Sequence, residues 1–313
     1  MYNLYHPRED YILVKIWIEI EMTKQRKGII LAGGKGTRLF PLTLGISKQL
    51  LPVYDKPMIY YPLTVLMLSG IKEILIITTP DDHAQFARVL GDGSQWGISL
   101  HFATQYTPDG LSQAYLIGEQ FLDGAASALI LGDNIFYGNG LVELLKNADR
   151  HALGATVFGY HVRDPERYGV FGFDDHGKTV SIVEKPSKPA SNYAITGLYF
   201  ADETAPDRSR NIRPSERGEL EITSLLNSYL EEGILNVELM GRGFSWHDTG
   251  THESLLDASN FVKTMTERQG LQVGSPDEVA FHQNWISRED LLRRAKKFDK
   301  NFYGEYLKQL AHG

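Results

Sequence analysis

The stretch from Lys27 to Pro52, KGIILAGGKGTRLFPLTLGISKQLLP, constrains the fold of this chain more than any other. It opens with an apolar run at residues 28–32 that shows no alternation, which is typical of a strand buried on both faces of a parallel sheet. Gly33, Gly34 and Gly36 follow directly. Without a Cβ they let the backbone turn sharply and bring its N–H groups close to phosphate oxygens. The stretch therefore predicts a first strand followed by a phosphate-binding loop.

Two common glycine motifs do not fit this loop. A Walker loop requires G-x-x-x-x-G-K-[ST], whereas here Gly36 separates Lys35 from Thr37. A dinucleotide fingerprint requires a third glycine at the position of Leu39. The glycines alone are therefore equally compatible with a loop that only turns the chain. The nearby cations that would favour an anion site are Lys35, Arg38 and Lys48.

Composition excludes several classes of protein. The chain has 313 residues, 42% of them hydrophobic, which suffices for a large core in one extended α/β domain or in two. A net charge of -7 argues against a nucleic-acid binder, which would present a basic face. Apolar runs fall short of the ~18 residues of a membrane span. Because the chain has no cysteine, disulfides and thiolate metal sites are excluded and a reducing cytoplasm is the expected location.

Strand-like apolar runs alternate with stretches of helical spacing. The predicted strands are residues 28–32, 73–78, 98–104 and 128–131. The predicted helices between them are residues 57–69, which end at Gly70, and a helix capped by Thr79 with Pro80 in its first turn, which Gly91 stops. This order predicts a parallel, three-layer α/β sheet with ligands at the carboxyl ends of the strands.

Polar residues follow these strands at the edge where ligands are expected. Gln105 comes after strand 98–104, and its amide offers the donor and the acceptor that suit a pyrimidine edge, although taken alone a surface glutamine with no function is the simpler interpretation. Asp133 closes strand 128–131, where a carboxylate is well placed to hold Mg²⁺ but would equally cap a turn with Asn134. A second acid is needed to decide between these two interpretations.

A second group of polar residues ends a predicted hairpin, whose strands are 168–174 and 179–184. Glu184 can accept hydrogen bonds from two sugar hydroxyls, and Lys185 can meet a sugar phosphate as a point charge. Without further context, an exposed Glu–Lys pair with no function is the simpler interpretation.

Beyond these patterns, the chain resembles the sugar-nucleotide pyrophosphorylases, and within them the glucose-1-phosphate thymidylyltransferase branch. The resemblance runs from about Arg26 to the C-terminus and begins with GGKGTRL and KQLLP, in which Arg38 and Lys48 are ten positions apart. The further strings that carry it are DKPMIYYPL (55–63), LGDGSQWG (90–97), LGDN (131–134), DPERYGV (164–170), EKP (184–186), SNYAITGLYF (191–200), RGELEIT (217–223) and WHDTGTHESLL (246–256).

The resemblance implies a Rossmann-like three-layer sandwich with a mostly parallel central sheet, a sugar-binding insertion and C-terminal helices. The chain would then divide into an N-terminal extension at 1–21, a nucleotidyltransferase core at 22–250 and a helical region at 251–313. Helical spacing at 220–232 and 251–269 and a capping box at Ser287 agree with the last part of this division.

The resemblance also implies roles for individual residues. Those expected to bind the nucleotide are Leu31, Gly33, Gly34, Gly36, Thr37, Arg38, Gln49, Gln105 and Gly110. Those expected to bind the sugar phosphate are Tyr168, Gly169, Glu184, Lys185 and Ile195. Asp133 and Asp248 are expected to share Mg²⁺. Catalysis is expected to depend on Arg38, Lys48, Asp133, Lys185 and Asp248, and Arg242 is expected near a possible effector site.

Three positions depart from the family pattern. Tyr106 and Thr107 stand where Pro-Ser is common, which changes the surroundings of the expected base pocket. His247 replaces a residue that is usually apolar.

The activity implied by the resemblance is Mg²⁺-dependent thymidylyl transfer from dTTP to glucose 1-phosphate, giving dTDP-glucose and pyrophosphate. It would open a route to dTDP-deoxysugars such as dTDP-rhamnose, in a cytoplasmic homotetramer subject to feedback inhibition. Two alternatives stay open: a related enzyme that uses another nucleotide, such as UTP, or another sugar 1-phosphate, and a non-catalytic sugar-nucleotide sensor. A sensor would be expected to have lost the cations or the acids, which are all present here.

Overall fold

A computed structural model describes residues 25–34 and 36–313. The N-terminal extension expected at 1–21 and the cation Lys35 lie outside these described residues. The strands, in chain order, are β1 (Lys27–Ala32), β2 (Pro52–Val53), β3 (Lys56–Pro57), β4 (Glu73–Thr78), β5 (Ser99–Thr104), β6 (Ser127–Leu131), β7 (Asn134–Gly138), β8 (Ala155–His161), β9 (Gly169–Phe173), β10 (Thr179–Glu184), β11 (Tyr193–Ala201), β12 (Leu235–Met240) and β13 (Phe244–Asp248).

The helices cover the sheet and fill the C-terminal region. They are α1 (Tyr60–Leu68), α2 (His83–Leu90), α3 (Gln113–Leu122), α4 (Leu141–Arg150), α5 (Ala205–Asn211), α6 (Ile222–Glu231), α7 (His252–Gln269), α8 (Pro276–His282), α9 (Arg288–Lys297) and α10 (Phe302–His312). In the part of the chain that the structure describes, none of the helices is both long and apolar enough to cross a bilayer.

The largest sheet is mostly parallel, as predicted. Its order is β10-β9-β11-β6-β1-β4-β5, and β8 pairs with both β11 and β12. Strands β6, β1, β4 and β5 are parallel to one another, and β12 is parallel to β8. Strand β11 runs antiparallel to both β6 and β8. The antiparallel β11 thus joins two parallel groups in one continuous sheet.

Strand β1 lies at the centre of the parallel group. Ile30 pairs with Ile76 of β4 on one side and with Ile130 of β6 on the other. Ile29 and Ile30 are fully buried although they point to opposite faces, since successive side chains of a strand alternate. This is the physical reason why the run is apolar without alternation, and it confirms the interpretation of the first strand.

The two faces of the sheet are covered by different helices. Ile30, Ile76 and Ile130 share one apolar cluster with Leu63 of α1, Phe86 of α2, Leu145 of α4, Leu291 of α9 and Leu307 of α10. Ile29, Leu75 and Leu129 share another with Tyr115 of α3, Ala205 of α5 and Leu225 of α6. The predicted three-layer architecture is therefore confirmed.

Two helix starts were predicted too early. Residues 57–59 precede α1 because Lys56 and Pro57 form β3, which pairs with β2. Helix α2 begins at His83 rather than after Thr79, because the Thr79 side chain donates to Asp82 Oδ2 (2.7 Å) and closes a turn before the helix. The predicted stop at Gly91 is correct.

The two-stranded sheet of β7 and β13 was not predicted at all. Strand β13 pairs antiparallel with β7, and Asp248 lies opposite Asn134 in this register. The pairing joins segments that are more than 100 positions apart in the chain. Helix α7 starts directly after β13 and is capped by Thr251, whose side chain accepts from Ser254 N–H (3.2 Å). The predicted capping box at Ser287 is also confirmed.

Candidate active site

A cleft of about 410 Å³ opens beside the carboxyl ends of β6, β10 and β13. It brings together the predicted residues Arg38, Asp133, Tyr168, Gly169, Glu184, Lys185, Ile195 and Asp248. Further residues that line it are Leu111, Leu131, Asn134, Arg167, Gly197, Tyr199, Arg217, Glu219, Glu221, Ile222, Thr223 and Trp246. The cleft therefore combines cations, which can bind phosphates, with acids, which can hold a divalent cation.

Asp133 is held by two neighbours at the end of β6. The ammonium of Lys48, which is buried, forms an ion pair with Asp133 Oδ2, and Asn134 Nδ2 donates to Asp133 Oδ1 (2.9 Å). Burial favours the neutral acid, but the charge of Lys48 and these hydrogen bonds outweigh it and hold the pKa of Asp133 below its ordinary value. Asp133 is thus an oriented, ionised carboxylate at neutral pH.

The pKa of Asp248 shifts in the opposite direction to that of Asp133. Burial, followed by the negative charge of Asp133, raises its pKa above the ordinary value. Its carboxylate makes no hydrogen bond or ion pair with residues 25–34 or 36–313. Two neighbouring carboxylates, one without a partner among the described residues, fit a divalent cation, which would relieve their repulsion.

Asp133 and Asp248 are the two acids of the described chain that would bind such a cation. Within the described chain, His, Cys, Asp and Glu side chains form no group of three or more that could hold a metal ion. A hard cation such as Mg²⁺ takes one or two carboxylates and leaves its other positions to phosphate and water. The pair Asp133 and Asp248 is sufficient for this mode of binding.

Asn134, which the sequence indicated only as a turn partner of Asp133, lines the cleft. It is buried, and its Oδ1 accepts from Trp246 Nε1–H (2.6 Å) and from Gly197 N–H (3.1 Å). Its Nδ2 meanwhile holds Asp133. One amide therefore connects β7, β11 and β13 around the acids. No sequence signal beyond its position next to Asp133 would have identified this role.

The glycine loop lies against two buried amides. A Cβ on Gly33 would come within 2.4 Å of Gln105 Oε1, so any side chain at this position would displace the Gln105 amide. Gln49 Nε2 donates weakly to Gly33 O (3.4 Å). Gly34 and Gly36 have positive φ angles of 98° and 56°. The amides of Gln49 and Gln105 thus both approach Gly33 of the loop.

The other predicted nucleotide residues surround this loop. Leu31 is the buried penultimate residue of β1, and Thr37 and Arg38 form a short 3₁₀ helix after the loop. Gly110 has a φ of 117°, and a Cβ there would lie 2.4 Å from the Leu220 backbone. Any other residue at 110 would therefore displace the chain that leads into α6.

Backbone strain occurs at the sugar end of the cleft. Lys185, directly after β10, adopts a left-handed φ of 41°, which costs energy for a residue with a side chain. Its N–H donates to Tyr168 O (3.0 Å), and its Nζ lies 3.5 Å from Glu184 Oε1. Burial raises the pKa of Glu184 despite the nearby charge of Lys185. The predicted sugar residues are thus adjacent in space.

Arg217 is a further cation of the cleft to which the sequence analysis gave no role. Its Nη2 pairs with Glu219 (2.7 Å), and its Nη1 and Nε lie 3.6 and 3.7 Å from Glu184 and Glu221. The signal that would have found it is the string RGELEIT, in which one arginine precedes two glutamates.

Two residues singled out in the sequence lie elsewhere. Arg242 is exposed in the turn between β12 and β13, and it is not among the described residues that line the cleft. His247 packs its ring against Phe261 (4.9 Å between centroids), and Ser245 Oγ lies 2.8 Å from its Nε2. Burial lowers the pKa of His247.

Comparison with known proteins adds to this geometry. Residues 27–265 match the family model described as nucleotidyl transferase. A glucose-1-phosphate thymidylyltransferase of Xanthomonas campestris pv. campestris is 61% identical over 287 residues, which are 92% of this chain and 97% of the relative. The enzymes of that name from Neisseria gonorrhoeae and Mycobacterium tuberculosis are 55% and 53% identical, over 91% of this chain and 99% and 98% of theirs.

Two solved structures are also similar. A Bacillus anthracis protein, assigned as a glucose-1-phosphate thymidylyltransferase and crystallised with a sucrose, superposes with a TM-score of 0.70 at 39% identity. The superposition covers 75% of this chain and 94% of that protein. A UDP-glucose pyrophosphorylase bound to UDP-glucose gives a TM-score of 0.67 at 23% identity over 76% of this chain and 98% of that one, which indicates a shared fold.

Proposed function

The chain belongs to the nucleotidyl transferase family and, within it, to the glucose-1-phosphate thymidylyltransferases, and on this premise we propose that it transfers a thymidylyl group from dTTP to α-D-glucose 1-phosphate. The products are dTDP-glucose and pyrophosphate. The observation that carries the proposal is the pair Asp133 and Asp248 in one cleft with the cations Arg38 and Lys185, Asp133 being paired in turn with Lys48.

The reaction needs little proton chemistry. The second pKa of a phosphate monoester is about 6, so glucose 1-phosphate is largely a dianion at neutral pH and attacks without a general base. One of its phosphate oxygens forms a bond to the α-phosphorus of dTTP. The bond from that phosphorus to the oxygen bridging to the β-phosphate breaks, and pyrophosphate leaves in line with the electron pair.

The barrier lies mainly in bringing two anions together, and positioned cations address it directly. We assign Arg38 and Lys48 to the triphosphate and to the charge that develops as pyrophosphate leaves. Lys185 is assigned to the sugar phosphate. The glucose ring is assigned to Tyr168, Gly169, Glu184 and Ile195. Asp133 and Asp248 would hold Mg²⁺, which when bound supplies positive charge to the phosphate oxygens.

Nucleotide choice is assigned to the other end of the site. The base is assigned to Gln105 and the Gly110 backbone, with Gln49 nearby. The glycine loop at Gly33, Gly34 and Gly36, together with Leu31 and Thr37, would receive the nucleoside and its phosphates. Gln105 offers both a donor and an acceptor, as a pyrimidine edge requires.

The family resemblance supports three wider proposals. The product would enter the synthesis of dTDP-deoxysugars such as dTDP-rhamnose, in the cytoplasm, where charged metabolites are retained. The enzyme would be a homotetramer with feedback inhibition, and the exposed Arg242 would contribute to the effector site. Light scattering after size-exclusion chromatography tests the tetramer, and inhibition by dTDP-rhamnose that Arg242→Ala weakens tests the effector site.

The central experiment measures pyrophosphate release by the purified protein with Mg²⁺ and glucose 1-phosphate, in parallel with dTTP, UTP, CTP, GTP and ATP. Asp133→Asn keeps the shape of the side chain and removes its charge, so we expect turnover with dTTP to fall ~100-fold or more. The matched control is Asp175→Asn, which neutralises an exposed acid in the turn between β9 and β10 and should leave turnover unchanged.

Each outcome of this experiment has a distinct meaning. Release with dTTP that Asp133→Asn abolishes supports both the reaction and the metal site. Faster turnover with UTP or another nucleotide would retain the chemistry and refute the thymidylyl assignment. Binding of dTTP without pyrophosphate release in the presence of glucose 1-phosphate or any other sugar 1-phosphate would favour the sensor instead.

A further inference from the structure

A chain of side-chain hydrogen bonds leads from the surface to the buried amide of Gln105. It starts at Asp109, whose carboxylate can only accept hydrogen bonds. Asp109 Oδ2 accepts from Thr107 Oγ1–H (2.5 Å) and from Gln113 Nε2–H (3.0 Å). The NH₂ group of Gln113, the first residue of α3, is therefore directed to Asp109.

This fixes the other half of the Gln113 amide. Its Oε1 accepts from Gln105 Nε2–H (2.5 Å) and, more weakly, from Asp109 N–H (3.4 Å). If the oxygen and the NH₂ group of the Gln113 amide exchanged places, the hydrogens of the NH₂ group would face these two N–H donors. The carboxylate of Asp109 thus sets the orientation of Gln113, and Gln113 sets that of Gln105.

The hydrogen bond to Gln113 fixes the position of the acceptor oxygen of Gln105, Oε1. Its Nε2 is directed to Gln113, so its Oε1 faces Gly33, where a Cβ would lie 2.4 Å away. Although Gln105 is buried, its Oε1 accepts no hydrogen bond from the described residues. A cavity of about 540 Å³ adjoins it, lined also by Gly34 and by the exposed ring of Tyr106. The acceptor is therefore available to a ligand in this cavity.

We propose that Gln113 is a positioning residue that makes the site selective for a pyrimidine-2,4-dione over cytosine. Thymine and uracil carry an N3–H donor, which complements the fixed Gln105 Oε1. Cytosine carries a lone pair on N3, so that two acceptors would face each other. Reversing Gln105 to accommodate cytosine would break its hydrogen bond to Gln113. The proposal rests on the proposed function for its ligand and extends it to a residue outside the assigned site.

The experiment uses two substitutions of one residue. Gln113→Met keeps the length of the side chain and removes the acceptor, whereas Gln113→Glu keeps an acceptor toward Gln105. Binding of dTTP and of dCTP is measured by titration calorimetry with Mg²⁺ and without sugar phosphate. We expect the wild-type protein to bind dTTP more tightly than dCTP. In Gln113→Met the ratio of dTTP affinity to dCTP affinity should fall about tenfold, which corresponds to the net value of one hydrogen bond. Repulsion between Glu at this position and Asp109 should lower the affinity of Gln113→Glu for both nucleotides, but the ratio of dTTP affinity to dCTP affinity should stay as in the wild-type protein.

Several results would overturn the proposal. The first is equal affinity of the wild-type protein for dTTP and dCTP. The second is a ratio of dTTP affinity to dCTP affinity that does not change in Gln113→Met. The third is an equal fall of this ratio in both variants. If Gln113→Met does not fold, Asp109→Ala at the exposed start of the chain of hydrogen bonds should lower the ratio in the same direction. Because binding is measured without turnover, failure of pyrophosphate release would refute the proposed reaction and leave this test intact.

Discussion

Single side chains in the cleft owe their charge states to burial and to one neighbour. Asp133 and Asp248 are the same residue type, yet Lys48 holds the pKa of the first below its ordinary value whereas burial and Asp133 raise that of the second. The difference follows from which acid obtained the ammonium partner. A cation that binds between them would favour the ionised form of both.

Glu184 gives a testable pH dependence at this scale. Burial raises its pKa, so as pH falls toward the raised pKa the carboxylate becomes neutral and loses acceptor capacity for sugar hydroxyls. We expect the KM for glucose 1-phosphate to rise on acidification while the KM for dTTP changes little. Glu184→Gln should raise the KM for glucose 1-phosphate about tenfold, the value of one or two hydrogen bonds, and remove this pH dependence.

Steady-state kinetics between pH 8 and pH 5 check this expectation, and the variant serves as control for titration of the sugar phosphate itself. An identical pH profile in the wild-type protein and the variant would assign the dependence to the substrate. Stability should move the other way: because the folded pKa is raised, the contribution of Glu184 to folding is present below its unfolded pKa and is lost as pH rises through the folded value.

At the scale of elements, the site depends on pairings that join distant segments. Strand β13 carries Asp248 and reaches Asp133 only because it pairs with β7. Asn134 and Trp246 connect the two strands through a buried hydrogen bond. Thr249 continues the connection, since its hydroxyl donates to Asp133 O (2.8 Å). Helix α7 then begins directly after these contacts.

The cap of α7 is a measurable part of this arrangement. Thr251→Ala removes the acceptor for Ser254 N–H, and we expect the free energy of unfolding to fall by ~1 kcal/mol, as for other N-cap losses. Thr251→Ser keeps the hydroxyl and is the matched control. Urea denaturation of both variants measures the difference. Equal stability of the alanine variant and the wild-type protein would show that tertiary packing alone holds the start of α7.

At the scale of the whole molecule, the proposed subsites lie along one sheet. The proposed nucleotide residues lie in or after β1 and after β5, the proposed sugar residues lie on or next to β9, β10 and β11, and the two acids follow β6 and end β13. Because β11 joins the two parallel groups, both subsites share one rigid support. The two acids lie between the two proposed subsites.

For the whole molecule, we predict that removing the metal lowers activity strongly and leaves the fold intact. EDTA should lower pyrophosphate release ~100-fold or more, and added Mg²⁺ should restore it. The fold should persist, because Lys48 and Asn134 hold Asp133 without a metal. Pyrophosphate assays and far-UV circular dichroism on the same samples check both statements. Release that is insensitive to chelation would refute the metal role of Asp133 and Asp248.

Local patterns predicted the parts of the fold whose chemistry is local. Strands β1, β4 and β6 have apolar runs because they are buried on both faces, and the glycines after β1 follow from the backbone angles of one turn. The Tyr106 and Thr107 departure also has a local consequence: Thr107 supplies a hydroxyl to Asp109. The family resemblance predicted the residues of the cleft, most of which the structure brings together.

The sequence by itself thus determined the central strands, the glycine loop and the α/β layering, because each depends on residues that are neighbours in the chain. Only the tertiary structure decided which acid has the lowered pKa and which the raised one, how Asn134 joins three strands and which way the Gln105 amide faces. The physical reason is that burial and hydrogen-bond partners come from segments far apart in sequence. Their energies depend on distances of a few ångströms that no periodicity records.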